Sequence, residues 1–183
     1  AVDVQVAARL SRATGETSAD VLLAFALAIR APRHGHICVD INQAAESLTT
    51  EPQEGEEAAE LTWPETSDWI KAIGASHLVR EPQEDATSPF VLDGTDLYTD
   101  RYFRYQERLA KGLLERARRP ITQPADPQAL QLGLTELFRP PEGKDNPPGV
   151  NRQVLSAAMA SLRPLTVVSG GPGMGKTWTV RNI

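Results

Sequence analysis

Several features are scarce in this 183-residue chain, and each scarcity excludes a class of protein. The single cysteine, Cys38, rules out a disulfide within the chain and suits a reducing cytoplasm. No apolar run approaches the roughly 18 residues of a membrane-spanning helix, and nothing resembles a secretory leader. His34 and His36 flank Gly35, but the three or four close ligands of a zinc site are missing. We expect a cytoplasmic protein with no membrane contact, in which Cys38 is a buried strand residue.

Charges of one sign are missing from one stretch of the chain and scarce in another, and the net charge is −5. Residues 40–68 contain acidic side chains but no Lys or Arg, whereas residues 101–119 are mainly basic. An acidic surface repels phosphates, which argues against nucleic-acid binding by the first stretch. The basic stretch is typical of a solvated helix face, and it also suits contact with phosphate or with an acidic partner.

Apolar periodicity predicts a mainly helical chain with few strands. We expect helices over residues 2–13, 19–31, 41–49, 65–74, 100–118, 127–138 and 151–162. Strands are expected over 35–41 and 165–168, and Asp93-Gly94 indicates a hairpin over 90–98. The expected helix starts are N-caps at Ser18, Asn42, Asp100 and Asp126, and a first helical residue at Pro64.

Proline-rich stretches predict three regions. Residues 1–119 form a mainly α (α+β) N-terminal domain, 120–149 a connector with one helix, and 150–183 the first strand and helix of an α/β domain. The order helix, strand, helix, helix, hairpin over residues 18–98 is that of a winged-helix domain, and an irregular helical domain fits nearly as well. A winged helix suggests DNA binding by analogy only. The acidic charge of the segment favours protein contact instead.

The most specific motif is G-x-x-x-x-G-K-[ST] over residues 170–177, the pattern of a phosphate-binding loop. Glycines let the backbone wrap around a polyphosphate, and a following helix directs free N–H groups at the anion. Lys176 provides an ammonium group for the β- and γ-phosphates, and Thr177 provides a hydroxyl group for Mg²⁺. The predicted cofactors are therefore ATP and Mg²⁺. The residues predicted to surround the nucleotide are Gly170, Gly171, Pro172, Gly173, Met174, Gly175, Lys176, Thr177 and Trp178.

With the phosphate loop placed, several blocks of the chain resemble the start of the RecD family, the exonuclease V alpha subunits. The loop matches the family's G-G-P-G-T-G-K-T apart from Met174, and residues 35–39 resemble an early G-H-V-C-L segment. Residues 134–138 resemble a Leu-Phe ending before the linker. A further block of the form G-x-x-L-Y-x-x-R with a downstream Glu is matched by Gly94, Leu97, Tyr98, Arg101 and Glu107.

The resemblance implies the N-terminal fragment of a superfamily 1B DNA helicase that moves 5′ to 3′ and serves double-strand-break repair. A RecA-like domain would begin near Val150 and be cut just after the phosphate loop, with Lys176 catalytic and Thr177 binding the metal. Gln153 stands where the family has its adenine-reading Gln, although a solvent-facing helix residue explains it equally well. RecB- and RecC-like subunits would bind the N-terminal domain, and DNA the full-length motor.

Two departures from the family pattern concern the phosphate loop. Met174 replaces a Thr whose main contribution is its backbone N–H, so we expect ATP binding to survive. Trp178 replaces another common Thr, which puts the geometry near the α-phosphate in question. Two other functions stay open: an assembly module without activity of its own, and a different P-loop ATPase with an unrelated N-terminal domain.

Overall fold

A computed structural model describes residues 2–47, 62–84, 87–122, 125–139, 150–181 and 183 of the chain. The chain is a mixed α+β protein that divides into two compact units, Ala1–Arg108 and Leu109–Ile183. Among the described helices, none is long and apolar enough to cross a membrane. Residues 48–61 of the acidic stretch and residues 140–149 of the predicted connector lie outside the described residues.

The described residues of the first unit contain four helices, the first half of a fifth, a 3₁₀ turn and a small sheet. In chain order these are α1 (Val2–Thr14), α2 (Ala19–Arg30), the 3₁₀ turn (Ala31–His34), β1 (Cys38–Asp40), α3 (Ala44–Ser47), α4 (Thr66–Gly74), β2 (Val79–Arg80), β3 (Phe90–Asp93), β4 (Asp96–Thr99) and the first half of α5 (Asp100–Ala117). The second unit contains the rest of α5 with α6 (Pro127–Leu137), α7 (Arg152–Leu162) and α8 (Lys176–Arg181). These elements confirm the predicted hairpin and most of the predicted helices.

The helix starts agree with the sequence only where a short polar side chain caps them. Ser18 accepts a hydrogen bond from the Val21 N–H at 3.4 Å, as predicted for α2. The prediction that Pro64 begins α4 is wrong, because Glu65 is the N-cap and accepts from the Asp68 N–H at 3.0 Å. Asp100 is the first residue of α5 rather than its cap, and its carboxylate binds two arginines instead.

The sheet of the first unit has the strand order β1-β4-β3-β2. Strands β3 and β4 form the predicted antiparallel hairpin, and its turn places Gly94 at φ 62°, a conformation that favours glycine. Strand β1 is antiparallel to β4. Strand β2, which the sequence did not predict, is parallel to β3. A strand of two residues carries no readable apolar alternation, which explains the omission.

The core of the first unit lies between α2, α4 and the sheet. The rings of Phe25 and Phe90 stack with centroids 4.0 Å apart, and both side chains are buried. Trp69 is also buried, and its indole N–H donates to the backbone carbonyl of Asp20 at 2.7 Å. Each aromatic side chain so buried contributes on the order of 2 kcal/mol through loss of water contact. The core therefore joins α2 to β3 and α4.

A nearly buried ion pair links β2 to α5. The guanidinium of Arg80, whose side chain is 6% exposed, binds the Asp100 carboxylate at 2.8 Å and lies over the ring of Phe103. Arg104 binds the other carboxylate oxygen at 2.6 Å. Burial alone would raise the pKa of Asp100, but the hydrogen bonds from the two arginines outweigh it and lower that pKa.

The second unit buries few side chains among its described residues. Those buried are Phe138, Ala157 and Thr179. A small cavity of about 130 Å³ lies between α6 and α7. The strand predicted over residues 165–168 is wrong for the described structure, because a strand needs a hydrogen-bonded neighbour and none of the described residues pairs with this run.

Candidate phosphate-binding loop

The loop over residues 170–177 adopts a backbone that only glycine takes readily. Gly173 and Gly175 have φ angles of 75° and 74°, in the left-handed region. A side chain at either position would strain the backbone. Of the four glycines in the motif, Gly173 and Gly175 take left-handed conformations, and Gly170 and Gly171 do not.

Lys176 folds over the loop that it ends. Its Nζ donates hydrogen bonds to the backbone carbonyls of Gly170 at 2.5 Å and Gly171 at 2.7 Å. Both acceptors are neutral carbonyl oxygens. A phosphate would offer it stronger, charge-assisted bonds at the same loop.

Thr177 is exposed in the first turn of α8. Thr179, two positions later, holds this turn in place. Thr179 is buried, and both its backbone N–H and its hydroxyl donate to the Gly175 carbonyl, at 2.9 and 3.0 Å. The Thr177 hydroxyl thus lies in the first turn of α8, beside the backbone N–H groups of that turn. The loop thus continues directly into a helix, as the motif requires.

The side chain of Gln153 lies against the loop at Gly175. A Cβ placed on Gly175 would collide with the Nε2 atom of Gln153. Asn151 fixes the start of α7 by accepting hydrogen bonds from the N–H groups of Gln153 at 3.0 Å and Val154 at 3.3 Å. Gln153 therefore contacts the loop while its side chain is half-buried. Its adenine-reading role stays a prediction.

The two residues that depart from the family pattern differ in their surroundings. Met174 is largely exposed, and its backbone N–H donates to the Gly171 carbonyl at 3.4 Å. The Trp178 ring packs edge-to-face on Phe138, with centroids 5.3 Å apart and an interplanar angle of 82°. Sequence reasoning gave Phe138 no role in the site. A lone phenylalanine before a proline-rich stretch carries no signal of its partner 40 residues later.

Other candidate groups lie in the first unit and show no catalytic arrangement. Cys38 is half-buried rather than buried as predicted, and burial together with the Asp96 carboxylate raises the pKa of its thiol. Asp93 and Asp96 are paired across the hairpin, so the turn accounts for their proximity. Within the described part of the chain, no group of His, Cys, Asp and Glu side chains is arranged to hold a metal ion.

Comparisons with known proteins cover both units. Residues 1–98 match the family described as the RecBCD enzyme subunit RecD, N-terminal domain. A curated protein named RecBCD enzyme subunit RecD, from Mycobacterium tuberculosis H37Rv, is 36% identical over 183 residues, which is 99% of this chain and 27% of that protein. The protein of the same name from Mycolicibacterium smegmatis is 34% identical over 182 residues, 99% of this chain and 28% of that protein. The chain spans about a quarter of the length of these relatives.

Proposed function

The chain belongs to the RecD family, and from this we propose that it is the N-terminal part of an ATP-dependent DNA helicase subunit of a RecBCD-type complex. The observation that carries the proposal is the loop over residues 170–177, where the Gln153 amide lies against Gly175 and Lys176 is held at the loop carbonyls. A helicase of this family would move 5′ to 3′ and act in double-strand-break repair and recombination.

The residues of the loop fit ATP with Mg²⁺, whose phosphoryl transfer supplies the energy for movement along DNA. Lys176 would exchange the carbonyls of Gly170 and Gly171 for phosphate oxygens and stabilise the charge that develops there. Thr177 would hold the metal through its hydroxyl group. Gln153 carries one amide donor and one acceptor, which suits the edge of adenine.

The finer fold assignments belong to the same proposal. The order α2, β1, α3, α4 and the β3–β4 hairpin supports a winged-helix-like N-terminal domain, to which β2 is an addition. Residues 150–183 would begin a RecA-like domain. We keep the predicted division into residues 1–119, 120–149 and 150–183.

The N-terminal domain is proposed to bind RecB- and RecC-like subunits, while the full-length motor binds DNA. Large apolar side chains of the first unit lie exposed, which suits contact with protein better than contact with phosphates. These are Val2, Val4, Ile37 and Tyr105. Retention of such subunits by residues 1–119 alone in a pull-down would support this. Tight, salt-sensitive DNA binding by the same residues in a gel shift would contradict it.

Replacing the loop lysine tests the helicase assignment. In the intact protein Lys176→Gln should abolish ATP-dependent DNA unwinding, because the ammonium group is lost while the side-chain length is nearly kept. Lys111→Gln is the matched control, since Lys111 is an exposed lysine of α5. Unwinding that survives in Lys176→Gln would refute the assignment. It would favour an assembly module instead.

The 183 residues alone should show no steady ATP turnover. They hold no second acidic Mg²⁺ motif, water-positioning residue or arginine finger that the sequence identifies, and phosphoryl transfer needs such groups. A phosphate-release assay on the isolated chain measures this. Sustained turnover would contradict the prediction.

A further inference from the structure

The aromatic pair Phe138–Trp178 connects α6 to the helix that follows the phosphate loop. Phe138 is the residue after α6 and is only 8% exposed. Trp178 is the third residue of α8 and is 47% exposed. Edge-to-face packing at a centroid distance of 5.3 Å is favourable for two aromatic rings. The contact therefore fixes one side of α8 to a residue outside the loop.

Helix α8 depends on such contacts because it is short. Its six residues are far below the roughly 12 to 15 at which an isolated helix becomes stable in water. Thr179 holds it from within, through the two hydrogen bonds to the Gly175 carbonyl. Trp178 is the neighbour of Thr177 and lies two positions after Lys176. A rotation of α8 that separated the rings would therefore move the ammonium and hydroxyl groups of the loop.

We propose that Phe138 and Trp178 form a positioning pair that holds the first turn of α8, and with it Lys176 and Thr177, in the arrangement that binds Mg²⁺ with a nucleoside triphosphate. The inference rests on the proposed function. It changes the role of Trp178 from a residue that surrounds the nucleotide to one that acts through α8. It also makes α6 part of the nucleotide site rather than a passive connector.

Nucleotide affinity in the intact protein tests the pair. Trp178→Ala and Phe138→Ala should each raise the Kd for a fluorescent ATP analogue with Mg²⁺ by about tenfold. The double variant should be little weaker than either single variant, because each substitution removes the same contact. Trp178→Phe should keep the Kd within about twofold, since it retains an aromatic ring. Leu132→Ala is the control, because Leu132 is on α6 and 72% exposed.

The dependence of affinity on Mg²⁺ separates positioning from general stability. If the pair positions Thr177, the alanine variants should lose most of the gain in affinity that Mg²⁺ gives the unaltered protein. Phe138→Leu keeps an apolar side chain at the buried site and serves if Phe138→Ala does not fold. Phe138→Leu should reduce the Mg²⁺-dependent gain in nucleotide affinity by a smaller factor than Phe138→Ala does.

Any of four results would overturn the inference. Unchanged Kd values in the alanine variants would show that the pair is not needed. Additive effects in the double variant would show that the two residues act separately. Equal losses of affinity with and without Mg²⁺ would show that the pair affects only stability. If the unaltered protein binds no nucleotide, the proposed function fails first, and the inference fails with it.

Discussion

The two units of the chain hold their structures in different ways. In the first unit, α2, α4 and the sheet bury a continuous set of apolar side chains, centred on the Phe25–Phe90 stack. In the second, few described side chains are buried, and apolar residues such as Val150 and Val167 are exposed. The loop over residues 170–177 and the helices beside it are instead held by single features: the Asn151 cap of α7, two left-handed glycines and one aromatic pair. A change in the core should therefore cost the first unit more stability than the loss of a single contact costs the second.

The largest expected effect is a cavity in the first unit. Phe25→Ala should lower the free energy of unfolding by about 3 to 5 kcal/mol, because the removed ring leaves an unfilled space against Phe90. Urea unfolding followed by tryptophan fluorescence measures the change. Val4→Ala, at an exposed position of α1, should change stability by less than about 0.5 kcal/mol. If Phe25→Ala also lost less than about 0.5 kcal/mol of stability, the first unit would not depend on its buried core. The contrast drawn between the two units would then fail.

Breaking the Arg80–Asp100 ion pair should have the next largest effect. Arg80→Ala should cost up to about 3 kcal/mol, because Asp100 loses its buried partner and keeps only the more exposed Arg104. Lys71→Ala removes the exposed pair with Asp68 and should cost almost nothing. Both changes are measured by urea unfolding at neutral pH.

The same pair predicts how acid affects the first unit. The pKa of Asp100 is lowered in the folded state, so its contribution is complete above the unfolded value near pH 4. The contribution is lost as the pH falls through the lowered value. Arg80→Ala should flatten this acid-dependent loss. An unchanged acid profile in the variant would refute the link to Asp100.

In the second unit, we expect a smaller effect from the cap of α7. Asn151→Ala should cost about 1 kcal/mol, because the N–H groups of Gln153 and Val154 lose their acceptor. Hydrogen exchange of the α7 amides measures this locally. Ser156→Ala is the control, because the Ser156 hydroxyl donates to a carbonyl within the same helix. Unchanged protection in Asn151→Ala would mean that packing, not the cap, holds α7.

The smallest expected effect is a gain of stability in the sheet. Asp40, Asp96 and Asp93 lie opposite one another across β1, β4 and β3. Burial and the two neighbouring carboxylates raise the pKa of Asp96. Asp96 therefore destabilises the fold as the pH rises through its normal range, the reverse of Asp100. Asp96→Asn should add about 0.5 kcal/mol at neutral pH by urea unfolding, with less gain in high salt. A loss of stability would contradict this.

The sequence predicted features whose signal is local. Ser18 and Asp126 precede apolar periodicity, and helices begin after each of them. The hairpin turn at Gly94 and the left-handed glycines of the phosphate loop also follow from a few adjacent residues. Each of these depends on backbone conformation within about one turn of the chain.

Features that join distant residues were not predicted from the residues alone. The pairing of Arg80 with Asp100 depends on β2, which is too short to show a pattern. The contact of Phe138 with Trp178 depends on how α6 and α8 pack. Gln153 was placed near the loop only through the family resemblance. Tertiary packing decides all three, and a single sequence does not encode it in a readable form.

The Phe25–Phe90 stack has a consequence for the order in which the protein is made. Helices α1 and α2 are joined by a short connection that contains Gly15, and they can pack together as soon as both have been synthesised. Phe25, however, has no stacking partner until the ribosome has released Phe90, and the Glu16–Ser76 and Trp69–Asp20 hydrogen bonds span 60 and 49 residues. Contacts of such long range form slowly. We expect α2 to expose an apolar face during much of synthesis, and this interval is when the nascent chain is most exposed to aggregation.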